Sequence, residues 1–409
     1  MSSRTVFAPT LGSLNNVAPN GTSVELFAGG GGLALGVERA TYRHLVVNEF
    51  DGRACETLRA NGAFDFGEKG HGWPLISGDC RDVDWREWRG QVDLLAGGPP
   101  CQPFSLGGIH RGDEDTRNLF PEAIRALHEI RPRAFLFENV RGLVRRSFRP
   151  YFDYITRRLA APHLAARDDE SWLEHDGRLE RELDTVPDTE RYTVRWTLLN
   201  AADYGVPQQR WRVLIAGYRA DLDLEPEFPT PTHSRDALLA SQLDGSYWRE
   251  HNIKPRDPQL TPAARKRIER AGTSGARWRT VRDALRGLPE PKDGVETPNV
   301  FNHVGIPGAR LYKGHSGSPI DWPAKSVKAG VHGCPGGEHI LLREDQTYRY
   351  FTVRECARLQ GFPDTWRFEG PRSEAMRQIG NAVPVDLAET LAVAVRAKLS
   401  TDQRLHAVA

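Results

Sequence analysis

The segment Ser23-Val24-Glu25-Leu26-Phe27-Ala28-Gly29-Gly30-Gly31-Gly32-Leu33 decides the fold. A short apolar run leads into four consecutive glycines and then into residues 32–40, where apolar side chains recur at helical spacing. Strand, glycine turn and helix in that order open a doubly wound sheet, whose glycines let the backbone approach a ligand and aim a helix N-terminus at it. That unit holds an adenosine-type cofactor or a dinucleotide equally well, and the next two strand ends narrow the choice. The strand at 45–49 closes on Glu49, 17 residues beyond Gly32, near the ~20 typical of an acid that binds ribose hydroxyls. The strand at 75–78 leads to Asp79, placed to accept a hydrogen bond from an adenine amino group. Each acid alone also reads as a loop-capping carboxylate. Three such features in succession favour an adenosine moiety, and no Walker A sequence points to a nucleoside triphosphate.

Working outward, strands are predicted at 92–96, 134–138, 194–199 and 212–218, with helices at 53–61 and 118–130. This alternation is that of an α/β fold with a mostly parallel sheet covered by helices. Residues 157–190 are strongly charged with few aliphatics and read as a surface insertion. From residue 228 prolines punctuate the chain, and beyond a short helix at 262–271 no long periodic element survives up to 346, which indicates a smaller, loop-rich domain. Helical character returns at 352–359, where Thr352 can cap, and at 385–399 after Pro384. The expected organisation is a tail at 1–22, a ligand-binding domain at 23–227, the loop-rich domain at 228–346, and a return to the first domain at 347–409.

With 409 residues, 39% hydrophobic and 27% charged, the chain has the make-up of an ordinary water-soluble protein of one large or two medium domains. It contains no apolar run of about 18 residues, the length a membrane span needs. Residues 1–20 carry one charged side chain, Arg4, and no apolar core of a signal peptide, so a cytoplasmic location and no membrane association are expected. The five cysteines are scattered with no C-x-x-C pair, which argues against a disulfide framework and a zinc site, and no metal is expected. Net charge is only +1, yet residues 254–286 hold ten basic and three acidic side chains. Such density suits phosphate contacts or, equally, a solvated helix face.

The chemistry is concentrated in Ala96-Gly97-Gly98-Pro99-Pro100-Cys101-Gln102-Pro103-Phe104-Ser105. One cysteine follows an apolar strand on a turn stiffened by prolines, which aims the sulfur at the edge where open α/β sheets build their sites. In isolation a structural cysteine would be the better reading. The next strand ends in Phe137-Glu138-Asn139-Val140. Glu138 reads either as a desolvated carboxyl able to share a proton or as a cap for the following loop. In Gln208-Gln209-Arg210-Trp211-Arg212, two arginines at strand spacing suit a phosphate or a polarised carbonyl, or form a surface ion pair.

Together these segments resemble the ordered motifs of the bacterial DNA cytosine-5 methyltransferases of type II restriction-modification systems. The matching stretches are Phe27-Ala28-Gly29-Gly30-Gly31-Gly32, Gly98-Pro99-Pro100-Cys101-Gln102, Glu138-Asn139-Val140, 208–212, 354–363 and Gly380-Asn381-Ala382-Val383-Pro384. The resemblance runs from about Ser23 to the last helix, with the variable region where the family keeps its target recognition domain. Departures are small: Glu25 stands where Asp is commoner and Cys356 where Ala is usual.

The resemblance implies a Rossmann-like class I fold that binds S-adenosylmethionine, released as S-adenosylhomocysteine. It implies a Cys101 thiolate that adds to C6 of a flipped-out cytosine, with Glu138, Arg212 and Arg210 as the other catalytic groups. Phe27, Gly29, Gly31, Gly32, Leu33, Glu49, Phe50, Asp79, Cys80, Pro99, Asn381 and Val383 are expected at the cofactor. Gln102, Ser105 and Arg117, in a loop that closes over DNA, are expected at the duplex with Lys325, Lys328 and His332 of the recognition block. The partner implied is double-stranded DNA with a short recognition sequence. The family acts as a monomer, protects host DNA from a cognate restriction endonuclease, and is associated with the nucleoid through DNA.

Overall fold

The computed structural model of the chain describes residues 21–100, 118–258, 260–271, 275–311, 316–329 and 339–408. Cys101, Gln102, Ser105, Arg117 and His332 lie outside the described residues.

Eight strands form the central sheet: β1 (Gly21–Leu26), β2 (Tyr42–Glu49), β3 (Phe64–Asp65), β4 (Pro74–Ser77), β5 (Leu94–Gly97), β6 (Ala134–Val140), β7 (Tyr192–Asn200) and β8 (Trp211–Arg219), in the order β3-β4-β2-β1-β5-β6-β8-β7. Neighbours from β3 to β6 pair in parallel, whereas β8 pairs antiparallel with both β6 and β7. The parallel strands therefore end on one edge, and β8 alone begins there. Side chains alternate between two apolar layers, as the strand period of two requires. Val24, Leu95, Phe135, Phe137, Val213 and Ile215 face one layer, and Leu94, Ala96, Leu136, Leu214 and Ala216 the other. The fold class is the expected one, with strand ends displaced by at most three residues.

Helices α1 (Gly32–Arg39), α2 (Gly52–Ala60) and α3 (Phe120–Ile130) follow β1, β2 and β5. The charged stretch departs from expectation, because α4 (Arg149–Ala160) and α5 (Trp172–Glu182) bury part of it. Leu159, Ala161, Leu179 and Val186 belong to the same core layer as Phe135. Few aliphatics suffice here because ion pairs cover the rest: Arg157 meets Asp176 at 2.5 Å and Arg178 meets Glu170 at 2.7 Å. Ser171 and Glu174 form the capping box that starts α5.

The proline-rich block contains α6 (Arg235–Leu243), α7 (Ser246–Glu250), α8 (Pro262–Ala271) and α9 (Val281–Leu285). It also carries the short strands β9 (His233–Ser234), β10 (Ala276–Arg277), β11 (Ser318–Pro319) and β12 (Ile340–Leu342). A last strand, β13 (Tyr348–Tyr350), pairs with β12 before α10 (Val353–Leu359), α11 (Arg372–Asn381) and α12 (Val385–Val408). Val281, Ala284, Ala324 and Val327 of the block share one apolar cluster with α10, α11 and Ala28 of the glycine turn, so the block is welded to the glycine-turn end of the sheet. Among the described residues no helix is long and apolar enough to cross a membrane.

Beneath α1 the ring of His44 is fully determined by its neighbours. Nε2 faces the Ala34 carbonyl at 3.0 Å and must donate, so Nδ1 accepts from the Ser23 hydroxyl at 3.0 Å. Burial lowers its pKa to about 4, which keeps it neutral. Nearby, Glu38 accepts from Trp73 Nε1 at 3.1 Å, and burial raises its pKa to about 7, with the Trp73 bond opposing. A carboxyl whose folded pKa is raised binds its proton more tightly in the native state, so the protein loses stability as pH climbs from about 4.5 to about 7. Glu38→Gln keeps an acceptor for Trp73 and removes the titration. Thermal melts should show a larger gain for this variant at pH 8 than at pH 5, and equal shifts at the two pH values would contradict the assignment.

Candidate active site

Strands β5 and β6 are neighbours with Gly97 opposite Phe137, so the residue after β5, Gly98, lies against Glu138. A Cβ at Gly98 would sit 3.7 Å from Glu138 Oε2. The chain then runs through Pro99 and Pro100 toward Cys101, and both prolines are anchored: Asn139 Nδ2 donates to the Pro99 carbonyl (2.9 Å) and the Leu119 amide to the Pro100 carbonyl (3.0 Å). The second bond joins the two ends of the segment 101–117. A buried acid, Glu138, thus stands beside the point from which the chain leaves β5 toward the cysteine.

Because β8 runs against β6, its first residues arrive at the same edge, with Arg212 paired to Val140. Arg212 Nε reaches back to Glu138 Oε1 at 2.5 Å, both side chains being largely buried. No N–H is aligned along this contact; the pair is held by charge, while Arg212 Nη1 donates to the Trp211 carbonyl at 2.8 Å. A carboxylate oxygen and a guanidinium together present an acceptor and donors to one planar ligand edge.

Arg210 does not share that role. It is fully buried, and its guanidinium donates to the carbonyls of Val327 (2.7 Å), Gly380 (2.7 Å) and Ala382 (3.1 Å). Burial, with the like charge of Arg212 adding, pushes its pKa well below the usual arginine range. The expected pairing of Arg210 and Arg212 on one face is corrected accordingly: Arg210 precedes β8 and turns inward. Beside it, Gln208 accepts from the Val327 amide (2.8 Å) and donates to the Leu359 carbonyl and to Gln360 Oε1 (3.1 and 3.0 Å). Gln360 in turn donates to the carbonyls of Ile379 and Ala382. This buried network ties the proline-rich block and the C-terminal return to the start of β8.

At the cofactor end, Glu49 accepts from the amides of Gly29 (2.6 Å) and Asp51 (2.7 Å). Burial pushes its carboxyl up and the two amides pull it down, with a net rise. Gly29 has positive φ and nothing within 4 Å of an added Cβ, so its backbone borders open space. Gly31 and Gly32 are there for a different reason. A Cβ on Gly32 would lie 2.4 Å from the Val383 carbonyl, and one on Gly31 2.8 Å from the Trp366 ring, so these two glycines admit the protein's own C-terminal return. Phe27 holds a left-handed backbone (φ 58°) ahead of them. Phe50 is 74% exposed at the end of β2, an aromatic face beside an acid. Asp79 accepts from the Arg81 amide at 2.9 Å. Leu33, Cys80 and Val383 bury their side chains, which leaves only their main chain for a ligand, and burial raises the Cys80 thiol to about 12. Asn381 is exposed at the end of α11. Glu25 is wholly buried, and neither carboxylate oxygen has a hydrogen-bond partner among the described residues.

Residues 21–161 and 174–397 match the family described as C-5 cytosine-specific DNA methylase. The chain belongs to that family. Among its relatives is the Type II methyltransferase M.Eco47II of Escherichia coli, 33% identical over 90% of this chain and 76% of the relative. Another is M.NgoMIV of Neisseria gonorrhoeae, 32% identical over 90% and 95%. Two solved structures share the fold: a putative DNA modification methyltransferase encoded within an E. coli prophage (TM-score 0.56, 20% identity, 93% of this chain and 99% of the other) and S. pombe Dnmt2 (0.54, 16%, 94% and 99%). The gap in the family match, 162–173, spans the turn between α4 and α5 and the first two residues of α5.

For a cytosine-5 DNA methylase the basic stretch 254–286 holds fewer free cations than its composition suggests. Arg265 pairs with Asp257, Arg267 with Asp236, Arg277 with Asp283 and Glu250, and Arg282 with Asp321. Glu250, His251 and Asp283 bring ligand-type atoms within 4.8 Å of one another, but Arg277 donates to both carboxylates and stands where a cation would. Lys325 Nζ donates to Ser316 Oγ (2.8 Å), and the Lys328 amide donates to His339 Nε2 (3.0 Å). Both lysines flank Val327, the residue that Gln208 and Arg210 hold. Sequence reasoning assigned no role to Gln208, Gln360 or Arg354, because buried polar residues leave no periodic signal; their place in the family motifs was the available clue. Arg354, also fully buried, donates to the carbonyls of Phe301 and Pro363 at 2.9 Å.

Arg210→Met would leave the carbonyls of Val327 and Gly380 without this donor, while Ala382 would keep the bond from Gln360. Removing one side of a buried charged hydrogen-bond set costs about 3 kcal/mol or more. A clear loss of denaturant midpoint is expected, and a stability equal to that of the parent would contradict the bonding described.

Proposed function

We propose that the protein is a sequence-specific DNA methyltransferase that modifies C5 of a flipped-out cytosine through a covalent Cys101 adduct. The observation that carries this reading is the Glu138–Arg212 pair, seated beside the strand end that leads to Cys101. Cytosine C5 is a poor nucleophile. Addition of the Cys101 thiolate forms the S–C6 bond, breaks the C5–C6 double bond, and moves electron density onto C5 and the N3/O2 side of the ring. Glu138, protonated when the base is bound, donates to N3 and accepts from the exocyclic amine through its other oxygen, and the Arg212 guanidinium meets the charge that grows on O2. When bound, S-adenosylmethionine supplies the electrophilic methyl group that C5 takes. A base then removes the C5 proton, the double bond re-forms, and Cys101 leaves as the thiolate. The target must leave the base stack to reach these groups.

The residues present fit the methyl donor. The open backbone at Gly29, the Glu49 carboxylate and the exposed Phe50 ring offer a main-chain surface, an acceptor for ribose hydroxyls and a face for adenine. Asp79 is the acceptor for the adenine amine. Arg210 acts through position, by holding the recognition block against β8. The names of the relatives, Type II methyltransferases, support a role in protecting host DNA from a cognate endonuclease.

Duplex DNA carrying 5-fluorocytosine tests the chemistry, because fluorine cannot leave C5 as a proton does and elimination of Cys101 stalls. With S-adenosylmethionine present, the parent protein should form a complex that survives denaturing electrophoresis and Cys101→Ser should not. Glu138→Gln should still bind duplex while methylating unmodified DNA roughly 10²-fold or more slowly. A parent enzyme that methylates DNA without ever trapping, or that turns over tRNA and not duplex DNA, would overturn this reading.

A further inference from the structure

Two residues after Glu138 the chain carries Val140-Arg141-Gly142-Leu143-Val144-Arg145-Arg146, ahead of α4. Arg141, Arg145 and Arg146 are exposed, and among the described residues none of the three has an ion-pair partner. That sets them apart from the arginines at 254–286, most of which spend their charge on acids. What holds Arg141 is an aromatic face: its guanidinium lies 5.7 Å from the centre of the Trp211 ring. A ring orients a cation without cancelling its charge. Arg145 folds back so that its Nε lies 3.9 Å from the Cβ position of Gly142. Val140 and Trp211 remain 49% and 41% exposed, unusual for apolar residues at the mouth of a buried site.

Val140 is paired with Arg212 across the sheet, and Trp211 precedes Arg212 directly. Arg141 and the two apolar side chains therefore form a ledge beside the proposed catalytic pair, and the exposed Arg145 and Arg146 follow in the same connection to α4. A strand that delivers a base to Glu138 and Arg212 brings its own phosphates to that rim. We propose that Arg141, Arg145 and Arg146, with Arg141 oriented by Trp211, bind the sugar-phosphate backbone of the duplex beside the flipped cytosine, without reading sequence. This rests on the DNA-methylating reading above. Free guanidiniums suit phosphate oxygens, and contacts to phosphate fix position and carry no base information.

The test is equilibrium binding by fluorescence anisotropy over a range of salt concentrations. The full chain is titrated into a labelled duplex bearing the methylated site and into a labelled duplex of random sequence. Each phosphate contact contributes about 0.9 to the slope of log affinity against log salt. The variant with Arg141, Arg145 and Arg146 all changed to Gln is expected to lose about 2.7 from that slope, to lose affinity by a similar factor for both duplexes, and to keep the parent's affinity for S-adenosylmethionine. The triple Lys variant should restore the slope, since a point charge suffices; this, with the cofactor affinity, separates lost contacts from misfolding. An unchanged slope in the Gln variant overturns the ledge, as does a loss confined to the site-bearing duplex, which would make these residues sequence readers. A parent protein that binds structured RNA and neither duplex would overturn the methylation reading as well as this one.

Discussion

The reversal of β8 is the constraint from which the site follows. Six parallel neighbours, β3 to β6 in sheet order, deliver loops to one edge of the sheet, but a strand β8 running with them would carry residues 211–212 to the opposite edge. Antiparallel pairing with β6 instead sets Arg212 across from Val140 and lets its guanidinium meet Glu138 at 2.5 Å. The pair stands at the end of β6, next to the proline turn that leaves β5. Acid, guanidinium and the approach to the cysteine thus come from three adjacent strands, and the rigidity of the sheet fixes their spacing.

Holding a reversed strand's first residues in register needs support from outside the sheet. Gln208 and Arg210 supply it through bonds to Val327, Leu359, Gly380 and Ala382. The same bonds attach the proline-rich block, so that block and the strand that carries Arg212 share one buried polar joint. The glycine turn makes a matching bargain at the cofactor end. Gly29 borders open space, while Gly31 and Gly32 accommodate Trp366 and the Val383 carbonyl from far along the chain. C-terminal motifs distant in sequence are in this way part of the same site.

Much of this was legible in the sequence, for identifiable reasons. Period-two alternation and glycine punctuation located the strands, and strand-end carboxylates such as Glu49 and Glu138 stood out because acids are rare beside apolar runs. What sequence could not supply was direction. Nothing in 211–219 announces an antiparallel strand, so the fate of Arg210 and Arg212 was ambiguous until β8 was seen to oppose β6. The stretch 157–190 was misleading because ion pairs such as Arg178 with Glu170 bury charge that composition assigns to the surface. The arginines at 254–286 show the same effect.

The central claim is that this arrangement methylates cytosine in DNA through Cys101. Bisulfite sequencing of genomic DNA from a non-methylating bacterial host expressing the protein tests it most directly, beside a host expressing Cys101→Ser. Protected cytosines in one short sequence context, absent with the variant, are the result this account requires. Soluble, folded protein that protects no cytosine, or a Cys101→Ser variant that protects the same ones, would contradict it.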